Sequence, residues 1–517
     1  MNYVSHPRIL PGKIEDREYQ RTVAKGCLKN NTLIILPTGL GKTVVSLFVI
    51  AEILEKGKKV LFLAPTKPLA DQHGKFLSET LKDTSVGVMT GETKPEVRAS
   101  MVDGYDVIVA TPQTVANDLE NGRYGTGKFG LVIYDEAHRG TGNYAYVTVA
   151  KYCGKDILSM GMTASPGSDI ARIEEVCSNL ALRRIDMRDE GDPDVSPFVF
   201  DTYVKRIEVG MPKDLRDIIA LLRKMLDHYI TELTHLGLFD SHWPPSTKHL
   251  LVVGETLQRR LASGEKSATV FRGLTVQGIC IKLLHAISLA ETQGMSALRA
   301  YLLKLSSESK KVKSSKGTKE LAERKEFAEV MEITMNSSVE HPKISRVMSI
   351  ASRIINSGSG SKVIVFTQYR DTCDMLVEKL SIIPGARVGK LIGQSRGGLK
   401  QKEQIEVLKG FRDGTYNIVV STSVGEEGLD VASTDAVIFY EPVPSEIRTI
   451  QRRGRTGRKN DGEVYVLIAK GTIDEVFERS SLKKESLMRS RLENLGRILE
   501  QRENSKERGQ MKLGDFH

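Results

Sequence analysis

Gly39, Gly41, Lys42 and Thr43 have the types and spacing that hold a triphosphate, within the run Pro37-Thr38-Gly39-Leu40-Gly41-Lys42-Thr43. Glycines let backbone N–H groups close around phosphate oxygens, a lysine reaches the β- and γ-phosphates, and a threonine hydroxyl can bind Mg²⁺. Leu36 stands where the general loop pattern has a small residue. Further on, Leu131-Val132-Ile133-Tyr134 runs into Asp135-Glu136-Ala137-His138. A carboxylate at a strand's end can hold Mg²⁺, the role expected of Asp135, and Glu136 beside it can orient and deprotonate a water. Far downstream, Gln451-Arg452-Arg453-Gly454-Arg455-Thr456-Gly457-Arg458 supplies Arg455 and Arg458. Their spacing of three puts both on one side of a helical turn, suited to charge building on a γ-phosphate. Neither half is a complete site. If both meet around one ATP, hydrolysis moves one half of the chain against the other, as in a motor.

The elements that must position these residues follow from apolar patterning. Thr32–Leu36, Lys59–Ala64, 106–110, 131–134 and 157–162 are short runs rich in Val, Ile and Leu. The pattern returns at 362–366, 417–421, 436–440 and 463–469. Such runs suit central strands buried on both faces, so two α/β domains with doubly wound parallel sheets are predicted. Between them, Leu215, Ile218, Ile219, Leu222, Met225, Leu226, Tyr229 and Leu233 recur at helical spacing, as do Val276, Ile279, Leu283, Leu284, Ile287 and Leu298. This is a helical insert rather than a linker. Residues 306–319, with Lys310, Lys311, Lys313, Lys316 and Lys319, read as a mobile loop, and 357–361 as a flexible turn. Leu482, Leu487, Leu492, Leu495 and Leu499 predict an amphipathic helix in a charged tail, frayed beyond Glu503. The expected division is residues 1–205, a first nucleotide-binding domain; 206–340, the insert; 341–480, a second domain; and 481–517, the tail.

The chain has 517 residues and a net charge of +10, which suits a polyanionic partner and equally suits plain solubility. Five scattered cysteines without a CxxC pair argue against structural zinc and for reduced thiols. The first twenty residues lack an apolar signal core, and Val44–Leu54 is too short to span a bilayer. No membrane association is expected.

These residues resemble superfamily 2 helicases with two RecA-like domains. Further blocks fit in order: Ala64-Pro65-Thr66-Lys67-Pro68-Leu69, Thr90-Gly91, Ala110-Thr111-Pro112-Gln113-Thr114, Thr163-Ala164-Ser165-Pro166-Gly167, Val365-Phe366-Thr367-Gln368-Tyr369, and 421–430. Residues 135–146, 291–301 and 440–445, with Leu36 before Pro37, resemble the archaeal Hef helicase and Fanconi anaemia group M family. The resemblance spans about Arg8 to Gly471. It implies that Arg17 and Gln20 lie near the adenine, and that Thr163 and Ser165 couple hydrolysis to movement. It places Gly428 and Asp430 near the ribose and triphosphate, and Gln451 in the nucleotide site with Arg455 and Arg458. Lys67, Thr90, Gly91, Thr111, Gln113, Thr367 and Thr422 would follow one nucleic-acid strand through its phosphates, and such contacts carry little base information. The insert would be a thumb-like domain used on branched DNA, with Lys310–Lys319 on the duplex arms.

The family implies an ATP- and Mg²⁺-dependent DNA helicase or translocase on forks, 3′-to-5′, acting as a monomer in the cytoplasm, nucleoid-associated if archaeal. RIG-I-like and Dicer helicases also carry a helical insert, so an RNA-directed ATPase is the alternative. Many archaeal Hef proteins continue into an XPF-type nuclease; here Glu323-Arg324-Lys325 lacks that motif's Asp, with Glu329 in its place. The triplet reads as a charged helical face, and a nuclease or clamp protein as a separate partner.

Overall fold

The apolar runs become the centres of two parallel sheets. The computed structural model describes residues 2–37, 39–167, 169–189, 191–198, 202–358, 360–393, 398–422, 434–442 and 462–514. The first domain runs α1 (Glu18–Cys27), β1 (Thr32–Ile35), α2 (Lys42–Glu55), β2 (Lys59–Leu63), α3 (Lys67–Thr80), β3 (Val86–Met89), α4 (Pro95–Gly104), β4 (Val107–Ala110), α5 (Pro112–Glu120), β5 (Phe129–Asp135), α6 (Ala145–Tyr152), β6 (Leu158–Thr163), α7 (Ile170–Asn179) and β7 (Arg184–Met187). Its strands order as β3-β4-β2-β5-β6-β1-β7, all parallel. β1 and β4 are buried at every residue, as strands covered by helices on both faces must be.

The chain next forms β8 (Thr202–Val209), then the insert: α8 (Lys213–His235), α9 (Thr247–Ala262), α10 (Ala268–Thr292), α11 (Met295–Ser309), α12 (Lys316–Ala322) and α13 (Lys325–Asn336). The second domain follows: α14 (Pro342–Ile355), β9 (Val363–Phe366), α15 (Arg370–Ser381), β10 (Val388–Leu391), α16 (Gln401–Asp413), β11 (Ile418–Ser421), β12 (Ala436–Phe439), β13 (Gly462–Ala469) and α17 (Ile473–Gly514). Its sheet orders as β10-β11-β9-β12-β13-β8, again parallel. β8 pairs with β13 along its whole length, from Thr202–Gly462 to Val209–Ala469. The chain therefore enters the second sheet before the insert begins, unlike the boundary drawn at residue 205. The insert is a bundle grafted between two strands of that sheet.

In the insert every apolar position predicted on α8 is buried. α10 is long and apolar enough to cross a membrane by length and composition. Core helices pass the same test, and Val276, Ile279, Cys280 and Leu283 on α10 are buried among the neighbouring insert helices. The expected lysine loop is shorter than predicted. α11 extends to Ser309, and Ser315 caps α12 by accepting from the Thr318 N–H, so Lys316 and Lys319 are helical. Arg324 lies against the Tyr229 ring and pairs with Glu326 at the start of α13, a structural role for that charged triplet.

A buried polar seam joins the insert to the second domain. Glu291 accepts from the Ile473 N–H at the start of α17 and from Arg223. His341 accepts at Nδ1 from the Lys343 N–H, capping α14, so its Nε2 carries the proton and donates to the Glu291 carbonyl. Lys343 and Asp474, both fully buried, pair at 2.5 Å, and the Lys343 ammonium lies 5.3 Å from the Tyr440 ring centre. Burial, and next the Lys343 charge, push the His341 imidazole down to about 3.

Candidate nucleotide and strand-binding site

The C-terminal ends of β1, β5 and β6 lie side by side, at the edge where ligands bind in open parallel sheets. The phosphate loop leaves β1 and enters α2 at Gly41, whose φ of +77° lies in the left-handed region. This backbone conformation favours glycine, and a Cβ here would stand 2.5 Å from Gln20 Nε2 and displace that side chain. Gln20 and Tyr19 both donate to the Leu40 carbonyl, at 3.1 and 2.8 Å, which pins the loop against α1. Gln20 is buried, yet its Oε1 accepts from no group among the described residues. An orphaned acceptor beside a phosphate loop fits an adenine amino group, and burying it unsatisfied costs about 1–3 kcal/mol. Arg17 is held by Glu15 and lies 5.4 Å from the Phe198 ring centre. Lys42 Nζ donates to the Leu36 carbonyl at 3.0 Å. Pro37, Gly39, Leu40 and Thr43 lie in the loop and first turn as expected; Thr38 is outside the described residues.

Asp135 ends β5 and is buried. Burial raises its carboxyl, but the hydrogen bond from His73, the Lys42 charge and the Glu136 N–H outweigh this and hold it below the ordinary value. An ionised carboxylate and the Thr43 hydroxyl suit Mg²⁺, which commonly takes one or two carboxylates and completes its sphere with phosphates and waters. Tyr146 fixes the strand end by donating to the carbonyls of Leu63 and Asp135. Glu136 adopts φ +48°, a left-handed conformation rare outside glycine and typical of functional turns. Its Oε2 is buried with no hydrogen bond among the described residues and lies 3.3 Å from His138 Nδ1. That oxygen has the capacity a general base needs.

His138 Nδ1 is also 3.0 Å from Thr163 Oγ1, whose hydroxyl donates to the Ser165 carbonyl and accepts from the Ser165 N–H. The half-buried Glu136 and the buried His138, Thr163 and Ser165 thus form one chain of polar contacts. Gly428, Asp430, Gln451, Arg455 and Arg458 lie outside the described residues.

The expected strand-following residues of the first domain come together over β2, β4 and β3, beside the nucleotide site. Lys67 opens α3 and pairs with Glu92, whose N–H donates to Thr90 Oγ1. A Cβ on Gly91 would be 4.0 Å from Thr114 Oγ1, itself 2.8 Å from Thr111 Oγ1. Gln113 is exposed in the first turn of α5. In the second domain Thr367 departs from expectation. It is fully buried and its hydroxyl donates to Glu441, so it has no exposed oxygen for a phosphate. Thr422 is also buried, its N–H donating to the Leu391 carbonyl. Sequence reasoning gave no role to His73, Tyr146, Tyr19 or Phe198; Tyr146 lay inside a recognised block, and His73 had no signal.

Two parallel-sheet domains, a phosphate loop and an Asp-Glu-Ala-His strand end define a superfamily 2 helicase. The family described as "Type III restriction enzyme, res subunit" matches residues 13–168, and "Helicase conserved C-terminal domain" matches 343–460. "Putative ATP-dependent RNA helicase, helical bundle" matches the insert, 213–341. The Hef helicase domain of Pyrococcus furiosus is 41% identical, with a TM-score of 0.71, covering 90% of this chain and 98% of that one. "ATP-dependent DNA helicase MPH1" of Pyricularia oryzae is 32% identical over 90% of this chain, and "Fanconi anemia group M protein" of Gallus gallus 30% over 93%. A Methanocaldococcus jannaschii protein named "Putative ATP-dependent RNA helicase" is 38% identical over 97% of this chain. The chain belongs to the Hef, Mph1 and Fanconi anaemia group M family of helicases. It spans 64%, 44% and 26% of the lengths of the Methanocaldococcus, Pyricularia and Gallus proteins.

Proposed function

We propose that the chain is an ATP-dependent DNA helicase or translocase that acts on forked or branched DNA, moving 3′-to-5′, in replication-fork repair and recombination. The observation that supports the ATP-driven part of this reading is the chain of polar contacts from Glu136 through His138 to Thr163 and Ser165, while its DNA and fork parts rest on likeness to the Hef helicase domain, Mph1 and the Fanconi anaemia group M protein. Those contacts connect the group that would activate water to the segment after β6, so a change at the γ-phosphate has a physical path into the fold. Lys42 would hold the β- and γ-phosphates, Thr43 and Asp135 the Mg²⁺, and Arg455 and Arg458 the developing charge. Bound Mg²⁺ supplies charge neutralisation at the phosphates; the protein's own groups supply position, the general base and the coupling path. Lys67, Gly91, Thr111 and Gln113 would form the strand-following face, with Thr90 buried beneath it. Lys310, Lys311, Lys313, Lys316 and Lys319, all exposed, offer the insert a basic edge for duplex arms. The proposed working form is a cytoplasmic monomer with a nuclease or clamp protein among its partners.

The printed names of the Methanocaldococcus relative and of the insert family favour a second reading, an RNA-directed ATPase. Steady-state ATPase rates with matched single-stranded DNA, duplex DNA, forked DNA and duplex RNA at fixed salt separate the two. Strongest stimulation by forked DNA, abolished in Lys42→Ala, is the expected result. Stimulation by RNA alone would replace the DNA reading, and undiminished turnover by Lys42→Ala would overturn the site.

A further inference from the structure

His73 is a buried histidine that no sequence motif accounts for, and it touches the carboxylate expected to hold the metal. It projects from α3, and its Nε2 lies 2.9 Å from Asp135 Oδ2, with both side chains more than nine-tenths buried. An ionised carboxylate only accepts, so the imidazole is the donor. The ring is packed on one side, and the helix that carries it is held close to the sheet. Phe62 of β2 packs on it at 4.5 Å between ring centres. The next residue, Gly74, lets α3 lie close to β3, since a Cβ there would stand 2.3 Å from Val88 Cγ2. A side chain held this firmly restricts the carboxylate it binds to one rotamer. It commits Asp135 Oδ2 to the protein and so fixes the plane of the carboxylate.

We propose that His73 is a positioning residue for the metal carboxylate: through its Nε2–H it sets the orientation in which Asp135 receives Mg²⁺–nucleotide. The inference rests on the nucleotide-site reading above. It also gives α3 a second purpose. The helix carries Lys67 at its first residue and His73 six residues on, about 9 Å along the axis at 1.5 Å per residue. One rigid element therefore bears both the strand-facing lysine and the group that aims the metal ligand.

The test compares His73→Gln, whose amide can still donate, with His73→Leu, which fills the space and cannot. The readout is the affinity of a fluorescent mant-ADP, titrated once in excess Mg²⁺ and once in EDTA, with thermal melts as the folding control. Groups that hydrogen-bond a metal ligand typically contribute 10–100-fold to metal affinity. The gain in affinity that Mg²⁺ confers should fall at least tenfold in His73→Leu, stay within about threefold in His73→Gln, and vanish in Asp135→Asn, with the EDTA affinities alike. Should His73→Leu fail to fold, His73→Met replaces it. A His73→Leu or His73→Met curve that overlays the parent while Asp135→Asn loses the Mg²⁺ gain would overturn the proposal alone. A parent protein without any Mg²⁺-dependent gain would overturn the nucleotide-site reading itself, and this proposal with it.

Discussion

The seam at His341 makes stability depend on pH in a defined window. The imidazole is buried, accepts at Nδ1 from the Lys343 N–H, donates at Nε2 to the Glu291 carbonyl, and lies near the Lys343 ammonium. Its folded value of about 3 is far below the ordinary 6.5 that the unfolded chain would show. Between those values the unfolded state binds the extra proton, so stability rises with pH. The contribution is fully present above the unfolded value and is lost as pH falls from 6.5 towards 3. Taking these two values, lowering pH from 7 to 5 removes about 2 kcal/mol through this one group. The assay is urea unfolding of the parent and of His341→Gln at pH 7, 6 and 5. The amide does not titrate, and its NH₂ can still reach the Glu291 carbonyl. Carboxylate titrations are common to both proteins and cancel. The parent should lose about 2 kcal/mol more than the variant over this range. Parallel pH dependences would refute the reasoning, because they would mean that His341 protonates in the folded state as readily as in the unfolded one.

Lys343→Met alone should destabilise the protein by about 3–5 kcal/mol, since it strands the buried Asp474 charge. Adding Asp474→Leu should recover most of that loss, and a double-mutant cycle in urea that came out additive would show the pair to be uncoupled. Replacing Lys310, Lys311, Lys313, Lys316 and Lys319 with alanine should weaken fork binding and flatten the dependence of log K on log salt by about 0.9 for each phosphate that is no longer neutralised. An unchanged slope in fluorescence anisotropy would remove the insert's basic edge from the binding surface.

The strands that sequence reading missed share one property. β3, β7, β10 and β8 are the four edges of the two sheets. A central strand such as Val107-Ile108-Val109-Ala110 is covered on both faces and must be apolar throughout. The edge strands β3 and β10 alternate buried and half-buried residues, and β7 is Arg-Ile-Asp-Met. β7 and β10 carry charged residues, and β3, Val-Gly-Val-Met, is a four-residue run broken by glycine, so none offers the longer Val, Ile and Leu run of a central strand. The same logic governs the site. The placement of Gly41 and Lys42 at the start of α2 and of Asp135 and Glu136 at the end of β5 could be anticipated because phosphate and metal chemistry would restrict residue type at fixed spacing. That of His73 could not, because it bonds Asp135 of β5 from α3, 62 positions away in the chain. Thr367 was misjudged for the converse reason. Its place in a motif suggested an exposed hydroxyl, whereas Glu441, brought in from the end of β12, takes that hydroxyl for the interior.

The tail shows where periodicity alone misleads. Leu482, Leu487, Leu492, Leu495 and Leu499 look like one apolar stripe, but at about 100° per residue Leu482 and Leu487 fall about 80° and 140° away from Leu492, on opposite sides. Leu492 and Leu495 are buried in the core of the first domain, with Leu499 packed beside them, while Leu482 is 50% exposed and Leu487 38%. The helix that carries them starts at Ile473, where Glu291 of the insert accepts its first N–H and Asp474 pairs with Lys343 of the second domain. α17 is therefore no appendage beginning at residue 481. It is one continuous element anchored at its start in the seam between insert and second domain, and further along on the β7 edge of the first sheet. Burial of each leucine side chain stabilises that second anchor by about 1.5–3 kcal/mol. Any change in the angle between the two sheets must either carry this helix along or bend it between its two anchors.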